Sequence, residues 1–330
     1  MEKRKALLII NPISGTRSKR GLTTLVRERL TPLGIELESR KTKASGDAYA
    51  WSREWVEKGG EIVISAGGDG TVNEVANALS YSNCTLGILP FGSGNGLARS
   101  IGIPQDTYAA LKIIEDGNIL TCDRGVVNGY PFYCTFGVGF DAAVSEKFAS
   151  MKKRGRITYI RSAFREFLNY QSQTYVIVTD GKVITEKALL IAVCNAPQYG
   201  NNAFIGPKAI LTDGLLDITV VHADNPLNTL LMSMDMFTGM LDKNRSIGTF
   251  RLPELTIIQA SDGPVHLDGE PMHLGKILNI KCEKDALNVF APEKQNYFRP
   301  FISPIRAILD DMRYDVMDKF RKLDNANIKL

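Results

Sequence analysis

The stretch SAGGDGTVNEVANAL, Ser65–Leu79, decides the fold. It follows a short, apolar, β-branched run, Ile62–Ile64, and within it Val72, Val75, Ala76 and Leu79 recur at helical spacing. Between strand and helix stand Gly67, Gly68 and Gly70, with one carboxylate, Asp69, among them. An ordinary strand-to-helix turn needs no such density of glycine. Clustered backbone N–H groups at a helix N-terminus form an anion site, and the glycines would let a phosphate chain come close. An acid fits there if a divalent cation bridges it to the phosphates, or if it orients a reacting group. A glycine-rich structural turn is the plainer alternative.

Working outward, strand and helix alternate through the first ~120 residues. ALLIINP reads as a strand, Leu22–Leu33 as a helix, Ile35–Lys41 as a strand and Ala48–Lys58 as a helix with Trp51 and Trp55 one turn apart. The strand Glu61–Ser65, the helix from Val72, the strand Thr85–Pro90 and a helix ending at Gly117 follow. This order predicts a parallel α/β sheet whose glycine turns lie at strand C-ends, where such sheets bind ligands. From Ile119 strand-like runs succeed one another: YPFYCTFGVGF, TYVIVTD, KALLIAVCN, GLLDITVVHA, ELTIIQA, PVHLDGE, ILNIKCE and ALNVFAP. They predict a second, mostly antiparallel domain, a β-sandwich or flattened barrel, interrupted by helical stretches at 145–170 and 226–241. Residues 304–323 read as an amphipathic helix with Ile305, Ile308, Leu309, Met312, Val316 and Phe320 on one stripe. The expected domains are 1–121, 122–298 and a helical tail, 299–330.

Composition narrows the class. The 330 residues are 44% hydrophobic and 23% charged, as in ordinary globular proteins. No apolar run approaches the ~18 residues of a membrane span, and the N-terminal apolar run is too short for a signal peptide, so a cytoplasmic protein is expected. Cys84, Cys122, Cys134, Cys194 and Cys282 show no C-x-x-C spacing, and His222, His266 and His273 no metal spacing. Any metal is expected to be a hard cation held by oxygens. The net charge of +4 is unevenly placed: residues 1–43 carry 11 basic and 4 acidic residues, and residues 151–170 carry 6 and 1. Two basic islands on an otherwise acidic chain suggest phosphates, a membrane surface, or both.

Two more strand exits carry turn formers. Asn11, Pro12, Ile13, Ser14 and Gly15 end the first strand, and PFGSGNGLAR, Pro90–Arg99, ends another and opens a helix. Three such exits on one sheet edge suggest one shared nucleotide site. The chain lacks G-x-x-x-x-G-K-[ST], so it is not a P-loop protein. Leu97 stands where a dinucleotide fingerprint beginning at Gly92 and Gly94 needs its third glycine.

Together, NPISG, GGDGTVNE and LPFGSGNGLAR resemble the diacylglycerol kinase catalytic domain shared by soluble bacterial lipid kinases and by sphingosine and ceramide kinases. The resemblance continues through DRGVVNG, FGVGFDAAV, KAILTDGLLDITVV and LDGE, over roughly residues 5–292. It implies an NAD-kinase-like first domain and a lipid kinase using ATP and Mg²⁺, with ATP between the two domains. The implied nucleotide contacts are Asn11–Gly15, Thr42, Gly67, Gly68, Asp69, Gly70, Thr71, Val72, Asn73 and Ser93. Asp69 would act through magnesium or directly at the γ-phosphate, while Asn73 and Glu74 could be functional or could serve the helix. The family's essential acid lies in the D-G-E turn, here Asp268-Gly269-Glu270, with Asp268 the first choice of base and Glu270 the second. ILTDGLLD resembles a structural magnesium site, with Asp213 giving a side chain, Ile210 and Leu215 carbonyls, and Asp217 a weaker candidate. The chain departs from the family at Gly96, where many bacterial members carry an acid.

A lipid kinase without an anchor must meet its acceptor at a bilayer. Lys19, Arg20, Lys152, Lys153, Arg154 and Arg156 are the residues expected to hold it peripherally to anionic lipid, at ~1 kcal/mol each. The rivals are kinase activity on a soluble acceptor such as NAD, and a non-catalytic member that binds nucleotide or lipid. Nucleic-acid binding is not expected, because no recognition module accompanies the basic islands. A sheet edge in the second domain could pair two chains as a homodimer.

Overall fold

The computed structural model describes residues 4–149, 170–179, 181–222, 232, 234–294, 302, 305 and 309. The chain divides into two units. The first comprises the described residues up to Thr121, the segment Gly200–Asn202 and the described residues from Leu287 onward; the second comprises Cys122–Tyr199 and Ala203–Ala286.

In the first unit β1 (Arg4–Ile10), α1 (Leu22–Leu30), β2 (Ile35–Lys41), α2 (Asp47–Glu57), β3 (Ile62–Gly67), α3 (Asp69–Leu79), β4 (Thr85–Pro90), α4 (Gly96–Ser100) and α5 (Thr107–Asp116) alternate. The strands pair in parallel in the order β2-β1-β3-β4. Leu7, Leu8, Ile9, Ile62, Ile64 and Leu86 are fully buried, as expected for a parallel sheet covered on both faces. The C-terminal ends of β1, β2, β3 and β4 therefore share one edge, and every glycine-rich exit read from the sequence leaves from it.

The second unit contains β5 (Ile119–Val127, from Cys122), β6 (Tyr130–Phe132), β7 (Thr135–Gly139), α6 (Phe140–Ala149), β8 (Gln173–Thr179), β9 (Lys182–Ala188), β10 (Leu190–Cys194), β11 (Leu216–Val221), β12 (Ile247–Leu252), β13 (Glu254–Gln259), β14 (Gly263–Leu267), β15 (Glu270–Leu274) and most of β16 (Ile277–Phe290). One antiparallel sheet runs β12-β11-β10-β7-β14-β15, and β16, β13, β8 and β9 pair antiparallel in a second. Phe136, Val138, Ile191, Val193 and Ile218 of the one, with Tyr175, Ile177, Ile257, Leu278 and Ile280 of the other, form a single apolar core. That is the expected sandwich, with alternate residues of each strand turned inward.

Three details depart from the sequence expectation. ILNIKCE and ALNVFAP are one strand, β16: Asp285, at φ +50, absorbs the irregularity between them while its N–H donates to Asp123 Oδ1 at 2.9 Å. Residues 287–294, expected in the second domain, belong to the first unit, because Asn288 and Val289 pair with Thr85 and Leu86 of β4. β12 was not anticipated, its alternation being weakened by Gly248 and Arg251. Of the helix expected at 145–170, residues 145–149 belong to α6 and residues 150–169 lie outside the described residues. Residues 232 and 234–238 are helical within the stretch 226–241. The expected C-terminal helix lies outside the described residues except at Ile305 and Leu309, which are helical and exposed. Among the described residues no helix is long and apolar enough to cross a membrane.

Asp123 ties the second unit internally. It is 2% exposed; its Oδ2 accepts the Gly214 N–H at 2.6 Å, its Oδ1 accepts Asp285, and its carbonyl accepts Asn195 Nδ2 at 3.0 Å. Asp123→Ala leaves two main-chain donors without their acceptor and is expected to cost roughly 2–5 kcal/mol, read as a lower urea midpoint. Asp123→Asn keeps one acceptor oxygen and should cost about half as much.

Candidate active site

The glycines of the first unit serve first to let its loops touch. A β-carbon at Gly92 would lie 2.6 Å from the Cα of Gly68, and one at Gly15, where φ is +61, would lie 1.8 Å from the Phe91 carbonyl oxygen. Asp69 then binds the third loop directly. Its Oδ2 accepts the Asn95 N–H at 2.9 Å and its Oδ1 accepts the Gly96 N–H at 2.7 Å, both at the start of α4. Burial pushes the Asp69 carboxyl above its ordinary pKa, and these N–H groups, with Arg99, pull the other way. The Gly94 carbonyl accepts Arg99 Nε at 3.0 Å and Asn201 N–H at 3.1 Å, which fixes the far side of the loop.

The first loop is stiffened in the same manner. Asn11 Nδ2 donates to Thr71 Oγ1 at 2.9 Å, Asn11 Oδ1 accepts the Ile13 N–H, and Ser14 Oγ donates to the Asn11 carbonyl. Thr42, at the end of β2, donates its N–H to the Ile10 carbonyl at 2.9 Å. Asn11, Thr42, Gly67–Asn73 and Ser93 are thus brought to one edge. Ile13 is 87% exposed, Pro12, Gly15 and Ser93 are exposed, and Asn73 is half-buried. The N-cap of α3, Gly68, has no side chain to satisfy the first N–H groups of the helix. These features fit a phosphate chain: glycine backbone open to approach, an uncapped helix start and the positive end of its dipole.

Glu74 does structural work instead. It reaches α2, where Oε1 accepts Ser45 Oγ and Gly46 N–H, and Oε2 accepts Ala48 and Tyr49 N–H. It supplies the cap that Gly46 cannot. Lys19, expected to face lipid, turns toward the first loop. Its ammonium donates to the Ser14 carbonyl and lies 4.7 Å from the centre of the Phe91 ring; Arg17 lies 5.1 Å from the same ring. Burial and the Arg17 charge lower the pKa of Lys19. Arg20 is exposed, and Lys152, Lys153, Arg154 and Arg156 lie outside the described residues.

The D-G-E turn belongs to the second unit. Asp268 and Gly269 have φ of +50 and +85 between the paired residues Leu267 and Glu270, the two left-handed positions of a tight hairpin. Asp268 Oδ2 accepts the Tyr133 N–H at 2.8 Å, and Oδ1 accepts Cys134 and Thr135 N–H at 2.7 and 2.8 Å. The Asp268 N–H returns a bond to the Thr135 carbonyl at 2.8 Å. Both oxygens of the first-choice base are therefore engaged with main chain. Glu270, two residues on, is exposed. The turn also has a partner that the sequence did not single out, His266, whose Nδ1 lies 3.3 Å from the Gly269 nitrogen.

The magnesium expectation meets a cation already in place. The Asp213 carboxylate pairs with Arg251 through Oδ2 and accepts the Leu215 N–H through Oδ1 at 3.1 Å. Arg251 Nε also donates to Asp217 Oδ2 at 3.0 Å, across the β11–β12 register pair Asp217↔Arg251. Ile210 is exposed and Leu215 half-buried, and among the described residues no three acids, histidines or cysteines gather as for a metal. Arg251 thus occupies the Asp213 carboxylate that the expected ion would share with the Ile210 and Leu215 carbonyls and waters.

Residues 5–127 match the diacylglycerol kinase catalytic domain, and residues 134–291 match the YegS C-terminal NAD kinase beta sandwich-like domain. A protein of Pectobacterium atrosepticum named "Probable lipid kinase YegS-like" is 33% identical over 283 residues, which cover 82% of this chain and 91% of the relative. A protein of the same name from Yersinia enterocolitica is 30% identical over 296 residues, covering 87% and 96%. The crystal structure of a "putative diacylglycerol kinase" from Bacillus anthracis superposes with a TM-score of 0.72 at 26% identity, over 89% of this chain and 98% of that one. With both domains in order and relatives alike over most of their length, the chain belongs to the YegS-like lipid kinases, phosphotransferases that carry the diacylglycerol kinase catalytic domain and act on an alcohol group.

Proposed function

We propose that the chain transfers the γ-phosphate of ATP to a primary hydroxyl of a diacylglycerol-like or sphingoid lipid. The observation that carries this reading is the interlock of the three strand exits around Asp69, which leaves an uncapped helix start and an open glycine edge for a phosphate chain. ATP, when bound with Mg²⁺, supplies the phosphoryl group. The main chain of Asn11–Gly15, Gly67–Asn73 and Ser93, with Thr42 beside them, holds the nucleotide. Asp69 fixes the loop through one N–H group on each of its oxygens. Magnesium travels with the phosphates rather than in a protein cage, as suits an ion that dehydrates reluctantly.

Glu270 is the base of this reading. Its carboxylate takes the proton of the lipid hydroxyl as oxygen attacks the γ-phosphorus and the bond to the bridging oxygen breaks, releasing ADP, and Asp268 holds the turn that presents it. The acceptor lies in a membrane, so the chain works peripherally at an anionic, cytoplasmic bilayer face, with Arg20 and the basic residues at 152–156 supplying charge.

The test offers labelled ATP and Mg²⁺ with mixed micelles of diacylglycerol, ceramide, sphingosine and monoacylglycerol, and with NAD as a soluble acceptor. Labelled lipid is expected, with kcat lowered about 10²–10⁴-fold in Glu270→Gln. Label on NAD alone, or full activity in Glu270→Gln, would overturn the corresponding part.

Three further outcomes follow from the geometry. Gly92→Ala forces its β-carbon against Gly68, so calorimetry should show ATP affinity at least tenfold weaker, while diacylglycerol still binds. Removing Arg251 strands Asp217, whose carboxyl burial already raises above the ordinary value and which Arg251 lowers. A carboxyl with a raised folded pKa favours the fold at low pH and loses that contribution as pH rises through the folded pKa. Arg251→Ala should therefore melt only slightly earlier than wild type near pH 4 and be about 1–2 kcal/mol less stable near pH 8. Excess Mg²⁺ should leave the wild-type melting temperature unchanged.

A further inference from the structure

His266 of β14 is 1% exposed and lies beside the turn that carries Glu270. Its Nδ1 is 3.3 Å from the Gly269 nitrogen, and its Nε2 is 3.0 Å from Asp141 Oδ2 on α6. A main-chain N–H only donates, so Nδ1 must hold the lone pair. Nε2 then carries the proton and gives it to the carboxylate. The neutral Nε2–H tautomer is set by its two neighbours. Asp141 is held in turn: Oδ2 also accepts the Tyr199 hydroxyl at 2.8 Å, and Oδ1 accepts the Ala142 N–H at 2.8 Å. The Tyr199 ring meets the imidazole edge-on, with centroids 5.6 Å apart.

The site is built to receive this pair. Gly137 of β7 stands opposite His266 in register, and a β-carbon there would lie 2.2 Å from Asp141 Oδ2 and 2.4 Å from His266 Nε2. An Asp-Gly hairpin forms without such support, and the largely covered Asp141 carboxylate carries a desolvation cost. Asp268 fixes the turn on the side of Tyr133–Thr135, and none of those bonds is made by the N–H of the peptide between Asp268 and Gly269. The His266 bond to the Gly269 N–H arrests that peptide, one residue before Glu270.

We propose that His266, oriented by Asp141 and Tyr199, is a positioning residue that sets the Glu270 carboxylate for proton transfer through the Gly269 N–H. This rests on the reading of Glu270 as the base. The chain Tyr199–Asp141–His266–Gly269 contacts no reacting atom; it acts by fixing one peptide plane.

Two substitutions separate the two bonds. The amide of asparagine reaches the place of Nδ1, so His266→Asn keeps an acceptor for Gly269. Glutamine reaches the place of Nε2, so His266→Gln keeps the link to Asp141 and loses the one to Gly269. In the full-length protein, kcat, the KM for ATP and amide hydrogen exchange at Gly269 are measured for both, with diacylglycerol micelles as acceptor. His266→Gln is expected to lower kcat at least tenfold, to leave the KM for ATP within twofold and to speed exchange at Gly269 at least tenfold; His266→Asn stays within threefold of wild type in all three. Unchanged exchange in His266→Gln overturns the tether, and faster exchange with unchanged kcat overturns the positioning role. Equal losses in both variants reduce His266 to a folding residue and overturn it as well. Nitrogen-15 shifts of the wild-type ring give a check that needs no variant: an Nδ1–H tautomer overturns the proposal. Full activity in Glu270→Gln with fast exchange in His266→Gln would sink the base reading while leaving the tether standing.

Discussion

The first unit depends on one contact, the approach of Gly68 to Gly92 with the Asp69 carboxylate closed over the Asn95–Gly96 main chain. Parallel strands put their loops on one edge but do not hold those loops together. Here the holding is done without side-chain bulk: glycine meets glycine, and an acid caps a short helix from outside it. Hydrogen bonds to a charged acceptor are worth about 1.5–3 kcal/mol each, enough to fix the five-residue helix α4, which would not persist alone. The density of glycine that the sequence displays is thus required by loop packing before any phosphate arrives. A ligand then meets an edge already ordered, and less of its binding energy is lost to arranging the loops.

In the second unit a similar constraint appears on a smaller scale. The turn at Asp268 and Gly269 uses two left-handed residues, and a tight hairpin of this kind could rock as a lever. The Asp268 carboxylate on three N–H groups and the His266 imidazole on a fourth hold it. Each clamp reaches into a strand or strand junction of the same sandwich, so the apolar core of that unit sets the orientation of an exposed glutamate. The proposed base at Glu270 requires this rigidity, because a misplacement of 1 Å can cost about a hundredfold in rate.

The architecture was legible because its signals are periodic. Apolar runs alternating with helical spacing announce a parallel sheet, and successive short strands with Gly and Asp-Gly turns announce a sandwich. The loops were legible as well, since GGDGT and FGSGNG carry their reason in their composition. The roles of individual acids were not. Asp69, Glu74, Asp213 and Asp268 read alike as candidate chemical groups, and only coordinates show that backbone N–H groups or Arg251 already occupy their oxygens. His266 lies two residues from Asp268, yet nothing local marks it, because its partners, Asp141 and Tyr199, are distant in sequence. Lys19 reads as a surface cation and proves to be drawn inward by Ser14 and Phe91. Long-range partners are what a single sequence conceals.

The distribution of these acids carries an argument about chemistry. A carboxylate that accepts two or three main-chain N–H groups has half or more of its roughly four acceptor sites committed, and taking up a proton would weaken the bonds that hold its loop. Asp69, Glu74, Asp123 and Asp268 are latches of this kind, and Asp213 and Asp217 are joined through Arg251. A phosphoryl transfer to a hydroxyl needs an acid that can take a proton and lose it again on every turnover, without disturbing the fold. Among the acids that the glycine loops, the D-G-E turn and the ILTDGLLD segment bring forward, Glu270 is the one at an exposed position among the described residues. The division is economical in physical terms: the buried and half-buried acids fix main chain, and the rigidity they create is what the proposed base at Glu270 requires.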